Sequence, residues 1–530
     1  MAYSEPKEPA DKQETNIGPQ SAQAAYERYT TKRDPFLRRA RDAAAITIPN
    51  LFPKEGQQTS DVEYPNQELG AHCVNTLGSK LGLILFPPNS AFFRMQPDPT
   101  ALRELEAQDA GVTDEIEEAL AEYENTIVRE QEAQGLRPPT YTGFRLLVMT
   151  GNVLLYYPPE GGCKVYPLDR YVVCRDDVGN VLEIIAKDCI SPLALPDEIR
   201  LQIEDFADPD RKDYIKQVEV YTRVKWNGDE WDLTQEIKGK VVKTGTYQKD
   251  KLPWLPLRMI PVPGEDYGRG MVEEYMGGFR KLDGLSDNIA KMAALGSKAV
   301  GLVSPNGITK VRDLNNAKNG DFVVGRPEDV KFLQIDKFND LQTAAQTIER
   351  ITGALSRAFL LNSSIQRDGE RVTAEEIRYM AQELEDSNGG IYSLLAQEFQ
   401  LKLVNIYIDR MERKGQLPKL PKGLVKPAII TGLAALGRNH EVERLRGFLS
   451  AVPPEILSQF GKWPEILKQL AIGFGVSAKK IIKTLEEIQQ EQKQAQLAAL
   501  TSSIGPNVVK AVGDNRKEQM KIDAQQPEQG

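Results

Sequence analysis

Residues 370–388 read ERVTAEEIRYMAQELEDSN and follow the polar segment NSSIQRDG at 362–369. Thr373 occupies an N-cap position, and Glu376, three residues later, completes a capping box. An apolar stripe then recurs at spacings of three, four or seven residues, which is typical of one helix face: Ile377, Met380, Leu384, Ile391 and Leu395. The sequence therefore predicts a charged loop joined to a long capped helix over 373–414.

Two further helices precede this loop. Apolar periodicity predicts a helix over 270–300 and a second over 339–361. Residues 301–338 between them are short and mixed, with strands predicted at 321–324 and 330–335. Four glycines lie inside the first helix, and each costs about 1 kcal/mol against alanine in an exposed helix: Gly277, Gly278, Gly284 and Gly296. That helix needs close neighbours, or it kinks.

The N-terminal half predicts helices around an inserted β region. Residues 1–20 are predicted to be disordered, and helices are predicted at 21–45, 66–85, 113–134 and 141–149. Between 150 and 262 the pattern changes to short strands, with turns at Asp177–Asn180 and at Asn227-Gly228. Proline-marked helices follow at 424–500, and 501–530 is predicted to be a flexible tail. The fold class is α+β and mainly helical.

Length and charge narrow the possible functions. A chain of 530 residues predicts about two to four structural units. The net charge of −9 disfavours tight nucleic-acid binding. It is compatible with a channel that has few fixed cations, because such a channel would hold duplex DNA weakly and let it slide. The four cysteines form no CxxC pair, the N-terminus resembles no signal peptide, and the apolar run 81–86 is too short to span a bilayer. These features predict a soluble protein made in the cytoplasm.

Catalytic and cofactor motifs are absent from the sequence. The two histidines are His72 and His440, and His72 beside Cys73 would point about 100° away from it on a helix. Neither a phosphate-binding loop nor a metal-ligand spacing occurs, so no cofactor and no metal are expected. Trp226 and Trp231 flank a predicted turn, where cross-strand packing is favoured over an exposed platform for nucleic acid.

An acidic cluster on the helix at 375–386 leaves one enzymatic alternative open. With no histidine beside it, a solvated or intersubunit face is favoured over a metal site or an acid/base pair: Glu375, Glu376, Glu383, Glu385 and Asp386. The alternative is an unrecognised hydrolase or nuclease that uses this acidic helix.

A family resemblance rests on two features of the sequence. One is the order of the predicted elements from residue 270 onward, which is a helix, a mixed segment, a second helix, a polar loop and a long helix. The other is a set of longer sequence runs. These runs are TIPNLFPK (47–54), LGSKL (77–81), TGNVLLY (150–156), YGRG (267–270), GLVSPNGI (301–308) and GDFVVGRPED (320–329). In these sequence runs and in the order of the elements, residues 20–450 resemble the portal (head-to-tail connector) proteins of autographivirus-type short-tailed bacteriophages.

This resemblance implies a set of regions. Residues 21–265 would form the wing, 266–300 and 339–361 the two stem helices, and 301–338 the clip. Residues 362–372 would form the tunnel loop, 373–414 a wing/crown helix, and 415–500 the crown. The channel residues implied are Arg367, Asp368, Glu370 and Arg371, and the clip residues implied for terminase or adaptor contact are Lys310, Arg312, Lys318 and Arg326.

The resemblance also implies a function without catalysis. Such a protein would assemble in the host cytoplasm as a dodecamer ring at one vertex of the virion, with no membrane association and no cofactor. Double-stranded viral DNA would pass through the ring during packaging and ejection. The partners implied are the terminase large subunit, tail adaptor and nozzle proteins, major capsid protein, scaffold protein and internal core or ejection proteins.

Overall fold

A computed structural model describes residues 21–54, 61–88, 91–98, 112–196, 199–200, 217–296, 301–332, 338–361, 390–420 and 425–429, with short pieces between 449 and 470. The chain divides into two compact units, one of residues 1–113 and 123–435 and one of residues 114–122 and 436–530. Apart from residues 114–122, the elements below belong to the first unit. The predicted disordered start, the tunnel loop, the acidic cluster and the flexible tail lie outside the described residues.

Ten α-helices are found in the described ranges: α1 (Ala22–Ile46), α2 (Leu69–Leu85), α3 (Val112–Ala133), α4 (Arg137–Thr150), α5 (Met271–Glu274), α6 (Met276–Gly296), α7 (Val311–Asn316), α8 (Phe338–Ala358), α9 (Ile391–Leu395) and α10 (Lys402–Arg413). A π-helix, Ala396–Leu401, joins α9 to α10. The helices predicted from residues 21, 66, 113 and 339 are confirmed within a few residues at each end.

Twelve strands are found in the same ranges: β1 (Phe93–Pro97), β2 (Asn152–Tyr156), β3 (Lys164–Tyr166), β4 (Tyr171–Arg175), β5 (Val181–Ile190), β6 (Val218–Trp226), β7 (Glu230–Ile237), β8 (Lys240–Gln248), β9 (Trp254–Arg258), β10 (Gly301–Val303), β11 (Val330–Phe332) and β12 (Val425–Ile429). They form a five-stranded sheet in the order β4-β5-β6-β7-β8, a three-stranded sheet β3-β2-β9, and two pairs, β1-β12 and β10-β11. The predicted β region at 150–262 is confirmed.

Helix α1 packs on the five-stranded sheet. Its N-cap Ser21 accepts a hydrogen bond from the Ala24 amide at 3.0 Å, and the Ala22 amide donates to Oε2 of Glu236 on β7 at 2.5 Å. The carboxylate accepts a hydrogen bond from an amide that has no partner within the helix. Its negative charge also interacts favourably with the positive end of the helix dipole. The apolar face of α1 is buried against the sheet in one cluster: Ala22, Ala25, Tyr26, Val172, Ile185 and Tyr221.

Three predicted element boundaries are wrong. The helix predicted from residue 141 begins at Arg137 and includes Pro138 and Pro139, because they lie in the first turn of α4, where a missing amide costs no internal hydrogen bond. The helix predicted over 270–300 is interrupted at Tyr275, whose ring packs 5.7 Å from that of Phe359. The helix predicted over 373–414 does not run through Gly390, whose φ of +88° ends any regular helix there.

Two further predicted elements differ from the structure. Residues 321–324, predicted as a strand, pair with no strand in the described part of the chain. Residues 425–429, predicted as part of a helical region, form β12 and pair with β1 in antiparallel register from Phe93↔Ile429 to Pro97↔Val425. The strand predicted at 330–335 is confirmed over Val330–Phe332, and its remaining residues lie outside the described part.

Candidate functional site

Helices α6 and α8 pack against each other and bury their contact at one end. Phe279 on α6 lies with its ring 5.6 Å from that of Phe359, directly after α8, and both side chains are buried. An ideal Cβ built on Gly278 would lie 3.3 Å from Cδ2 of Leu355, which is tighter than ordinary van der Waals contact. Gly278 therefore permits the close approach of the two helices at this end.

The remainder of the pair is only partly covered within the chain. From Gly284 along α6, and from Leu341 to Ala354 along α8, no described side chain is fully buried. The apolar side chains there are half-buried: Leu285, Ile289, Met292, Leu341, Ile348 and Ile351. A Cβ added at Gly277 or at Gly284 would have no atom of the described chain within 4 Å. The pair thus combines a closely packed end with a long exposed stretch.

Residues 301–332, called here the connecting segment, lie between the two helices in sequence and are organised around Asp329. Its Oδ2 accepts hydrogen bonds from the Ile308 amide at 2.9 Å, the Thr309 amide at 3.2 Å and Thr309 Oγ1 at 3.0 Å. Thr309 Oγ1 in turn accepts from the Arg326 amide at 2.9 Å. Desolvation raises the pKa of Asp329, but the hydrogen bonds from Thr309 and Ile308 and the charge of Arg326 outweigh it, so the pKa is lowered overall.

Sequence reasoning did not identify this network. Its signal in the sequence is a pair of glycines whose substitution would clash with it. A Cβ on Gly307 would lie 2.5 Å from Cγ of Asp329, and a Cβ on Gly325 would lie 2.5 Å from Thr309 Oγ1. Both glycines are therefore required by a packed hydrogen-bond network rather than by chain flexibility.

The connecting segment exposes both charge and apolar surface. All four basic residues predicted for the clip are exposed, and Arg326 alone among them joins the Asp329 network through its backbone. Large apolar side chains are exposed beside them: Leu302, Ile308, Val311, Leu314, Phe322 and Val324. Such a concentration of exposed apolar side chains marks an interaction surface. The predicted channel residues Arg367, Asp368, Glu370 and Arg371 lie outside the described residues.

The closely packed end of the helix pair is held by the rest of the unit. Lys80 on α2 is buried and donates from Nζ to the backbone carbonyl of Leu360 at 2.5 Å. Leu360 has a φ of +58°, a conformation that is uncommon for a residue with a branched side chain. On the neighbouring π-helix, Gln400 donates from Nε2 to the carbonyl of Leu85 at 2.9 Å.

A buried ion cluster fixes the same π-helix to the β region. Glu398 Oε1 accepts from Arg258 Nη2 at 2.8 Å and lies 3.6 Å from Arg175 Nη1. Burial lowers the pKa of Arg175 to about 10, although the charge of Glu398 acts in the opposite direction. Burial likewise lowers the pKa of Lys402, one turn further along. Because breaking a buried ion pair leaves an uncompensated charge, this cluster holds the π-helix in one position.

Cys73 and His72 are arranged unfavourably for catalysis. Cys73 is fully buried and His72 is exposed, and burial raises the pKa of the Cys73 thiol to about 12, so no thiolate–imidazole pair forms. Trp226 and Trp231 face each other across β6 and β7 with ring centroids 5.2 Å apart, which supports cross-strand packing. Within the described residues, no cluster of metal-binding side chains occurs and no helix is long and apolar enough to cross a membrane.

Comparison with known proteins gives extensive matches. A family model described as "Bacteriophage head to tail connecting protein" matches residues 19–482. The portal protein of Escherichia phage T7 is 40% identical over 495 residues, covering 91% of this chain and 91% of the phage protein. Those of Enterobacteria phages T3 and SP6 are 41% identical over 454 residues and 31% identical over 510 residues. These alignments cover 83% and 94% of this chain, and 84% and 96% of the two phage proteins.

Solved structures give a more distant likeness. The neck of an empty GTA particle superposes with a TM-score of 0.35 and 10% identity, covering 75% of this chain and 90% of that one. A likeness at this level carries no argument about fold or assembly. The family match over residues 19–482 and the relatives above 30% identity over most of the chain are decisive. This chain belongs to the family of bacteriophage head-to-tail connecting proteins.

Proposed function

We propose that this protein is the portal of a short-tailed bacteriophage, the ring through which viral DNA enters the procapsid and later leaves through the tail. The observation that carries the proposal is the identity of 40% to a named portal protein along 91% of both chains. The helix pair with its exposed connecting segment supports it, because the described part of the chain leaves these helices only partly covered, as expected of helices that pack against neighbouring copies. The more general role, that of a structural protein connecting head and tail, follows from membership of the connector family.

In the proposed portal, each part of the chain forms one region of the ring. Helices α6 and α8 are the stem helices, the connecting segment belongs to the clip, and residues 362–372 form a tunnel loop facing the DNA. Residues 21–265 form the wing, and the chain beyond 373 leads through a wing/crown helix into the crown. The clip binds the terminase large subunit during packaging and the tail adaptor and nozzle afterwards. Capsid, scaffold and internal core proteins contact the outer and upper regions.

Ring formation is the first test of this function. Twelve copies of the 59.2 kDa chain would give a particle of about 0.7 MDa. Light scattering and electron microscopy of the purified full chain measure mass and symmetry together. A monomer that stays monomeric at micromolar concentration contradicts the portal function, whereas a closed ring with a central channel supports it.

The proposed portal performs no chemistry of its own, so ATP turnover during packaging comes from a separate motor. The alternative function, a hydrolase or nuclease acting through the acidic helix at 375–386, is tested in the same preparation. ATPase and DNA-cleavage activity that co-purifies with the ring through a second chromatographic step, and that disappears on Glu376→Gln, would favour the alternative.

A further inference from the structure

Residues 322–324 have the composition of a strand, but among the described residues they pair with no other strand. The sequence Phe322-Val323-Val324 predicts a strand, yet in the structure these residues lie outside every helix, turn and sheet. Phe322 and Val324 are 103% and 80% exposed, while Val323 between them is half-buried, so exposure alternates as it does along a strand. Among the described residues, their amides form no hydrogen bond within the chain.

Both ends of this short run are fixed by their own chain. Before it, the Lys318 amide donates to Asp321 Oδ2 at 2.7 Å and the Asp321 amide donates to the Lys318 carbonyl at 3.0 Å, forming a turn through Gly320. After it, the Arg326 amide is held by Thr309 Oγ1 at 2.9 Å. Residues 322–324 therefore lie between two anchored points, with exposed apolar side chains and with backbone groups that bond to no described residue.

The same segment contains an incomplete sheet. Strands β10 and β11 pair over three residues only, from Gly301↔Phe332 to Val303↔Val330, and they form a two-stranded sheet with no third strand in the described chain. Two-stranded sheets are marginally stable in water, and each outer edge is a template for another strand. Leu302 on β10 is 54% exposed, so an apolar side chain of this sheet is also left in contact with solvent.

We infer that residues 322–324 of each copy add as a third strand to the β10–β11 sheet of the neighbouring copy. This inference rests on the proposed ring. Every copy then supplies one run at 322–324 and one β10–β11 sheet. In a closed head-to-tail ring each run pairs with the sheet of the next copy, so every run and every sheet has a partner. The connecting segment carries five basic and four acidic residues, so no strong charge of one sign opposes contact with a second copy.

Photo-crosslinking tests this pairing directly. A p-benzoyl-phenylalanine is placed at position 322 of the full chain, and rings are assembled from heavy-isotope-labelled and unlabelled chains. Mass spectrometry should then find crosslinks between differently labelled copies, from position 322 to residues 301–303 or 330–332. Crosslinks confined to one copy, or directed elsewhere on a neighbour, overturn the inference even when rings form.

Three substitutions provide the second measurement. Because only alternate amides of an edge strand face the sheet, either Val323→Pro or Val324→Pro removes a ladder donor, and that variant should raise by about tenfold or more the concentration below which rings dissociate. Leu314→Ser is the control, since it removes an exposed apolar side chain of the same segment from α7 instead. Circular dichroism checks that all three variants fold. Ring stability equal to that of the wild type in both proline variants overturns the strand pairing alone, whereas failure of the wild type to form rings overturns the proposed function as well.

Discussion

Nζ of Lys80 lies 2.5 Å from the backbone carbonyl oxygen of Leu360, although the two residues are 280 positions apart in sequence. Lys80 is 9% exposed, and Leu360 holds a φ of +58° immediately after α8. The hydrogen bond therefore ties helix α2 to the point where the helix pair ends and the chain turns toward residues 362–372. It connects the body of the unit to the segment that the proposed portal uses at its channel.

Replacing Lys80 should loosen this end of the helix pair. Lys80→Met keeps most of the side-chain length but leaves a buried carbonyl without its donor, which costs about 1–3 kcal/mol of unfolding free energy. Denaturant unfolding measures that loss, and hydrogen exchange should show faster exchange in residues 355–361. Lys281→Met, an exposed change on α6, is the control. Unaltered exchange in residues 355–361 would show that the hydrogen bond does not hold this turn.

Two glycines of α6 should respond oppositely to substitution. Gly278→Val places branched carbons against Leu355, where even a single Cβ is at 3.3 Å, so overpacking should cost about 1–3 kcal/mol. Gly284→Ala meets nothing within 4 Å and should gain up to about 1 kcal/mol from helix propensity. Thermal unfolding of the two variants compares them directly. Two changes of the same sign would contradict the packing described for Gly278.

The buried carboxylate of Glu398 should be required for stability. Glu398→Gln preserves size but removes the negative charge that faces Arg258 and Arg175, and breaking a buried pair costs about 3–5 kcal/mol. The exposed Glu274→Gln in α5 should change stability very little. Guanidinium unfolding followed by tryptophan fluorescence measures both. A loss for Glu398→Gln no larger than that for Glu274→Gln would mean that the cluster contributes nothing net.

Protonation of Asp329 in acid should weaken the hydrogen bonds that organise the connecting segment. Because its folded pKa is lowered, its stabilising contribution is present above the ordinary aspartate value of about 3.9 and is lost as pH falls through the folded pKa. Hydrogen exchange at Ile308 and Thr309, corrected for intrinsic rates, should be slow at neutral pH and fast in strong acid. Asp329→Ala should give fast exchange at both, while Glu328→Ala should resemble wild type. Slow exchange in Asp329→Ala at neutral pH would contradict this role.

Local signals in the sequence predicted much of the fold. The helix predicted from residue 21 begins at Ala22, directly after its N-cap Ser21, and Asn227-Gly228 lies at the β6–β7 turn, as predicted. No separate strand was predicted at Trp254–Arg258, where Pro256 disfavours one, yet all five residues of β9 are buried and Pro256 pairs with Leu154. Tertiary burial overrides local propensity there.

Long-range partners explain the other differences. Strand β1 is stabilised by β12, more than 300 residues away, and each strand is only five residues long and contains a proline. The Glu398 cluster likewise joins three elements that no spacing rule connects. For the candidate site, the basic residues of the connecting segment were predicted from family resemblance. The Asp329 network was missed because its donors lie 20 and 21 positions from it.

The loop at 362–372 gives the prediction closest to DNA transport. Arg367, Asp368, Glu370 and Arg371 place two cations and two anions within five residues. We propose that one such loop per subunit faces the channel, where Arg367 contacts phosphates transiently and Arg371 is tied down near the helix start. The mixed signs keep affinity low, because each net cation would steepen salt-dependent binding to DNA.

Arg367→Ala and Arg367→Glu should leave ring assembly intact and reduce packaging, retention or ejection of DNA, with the charge reversal having the larger effect. Arg371→Ala serves as the comparison and should have the smaller effect on DNA. Light scattering measures the rings, and the yield of full, infectious particles measures transport. Rings of normal size that yield normal numbers of infectious particles from Arg367→Glu would show that this loop does not contact DNA in the channel.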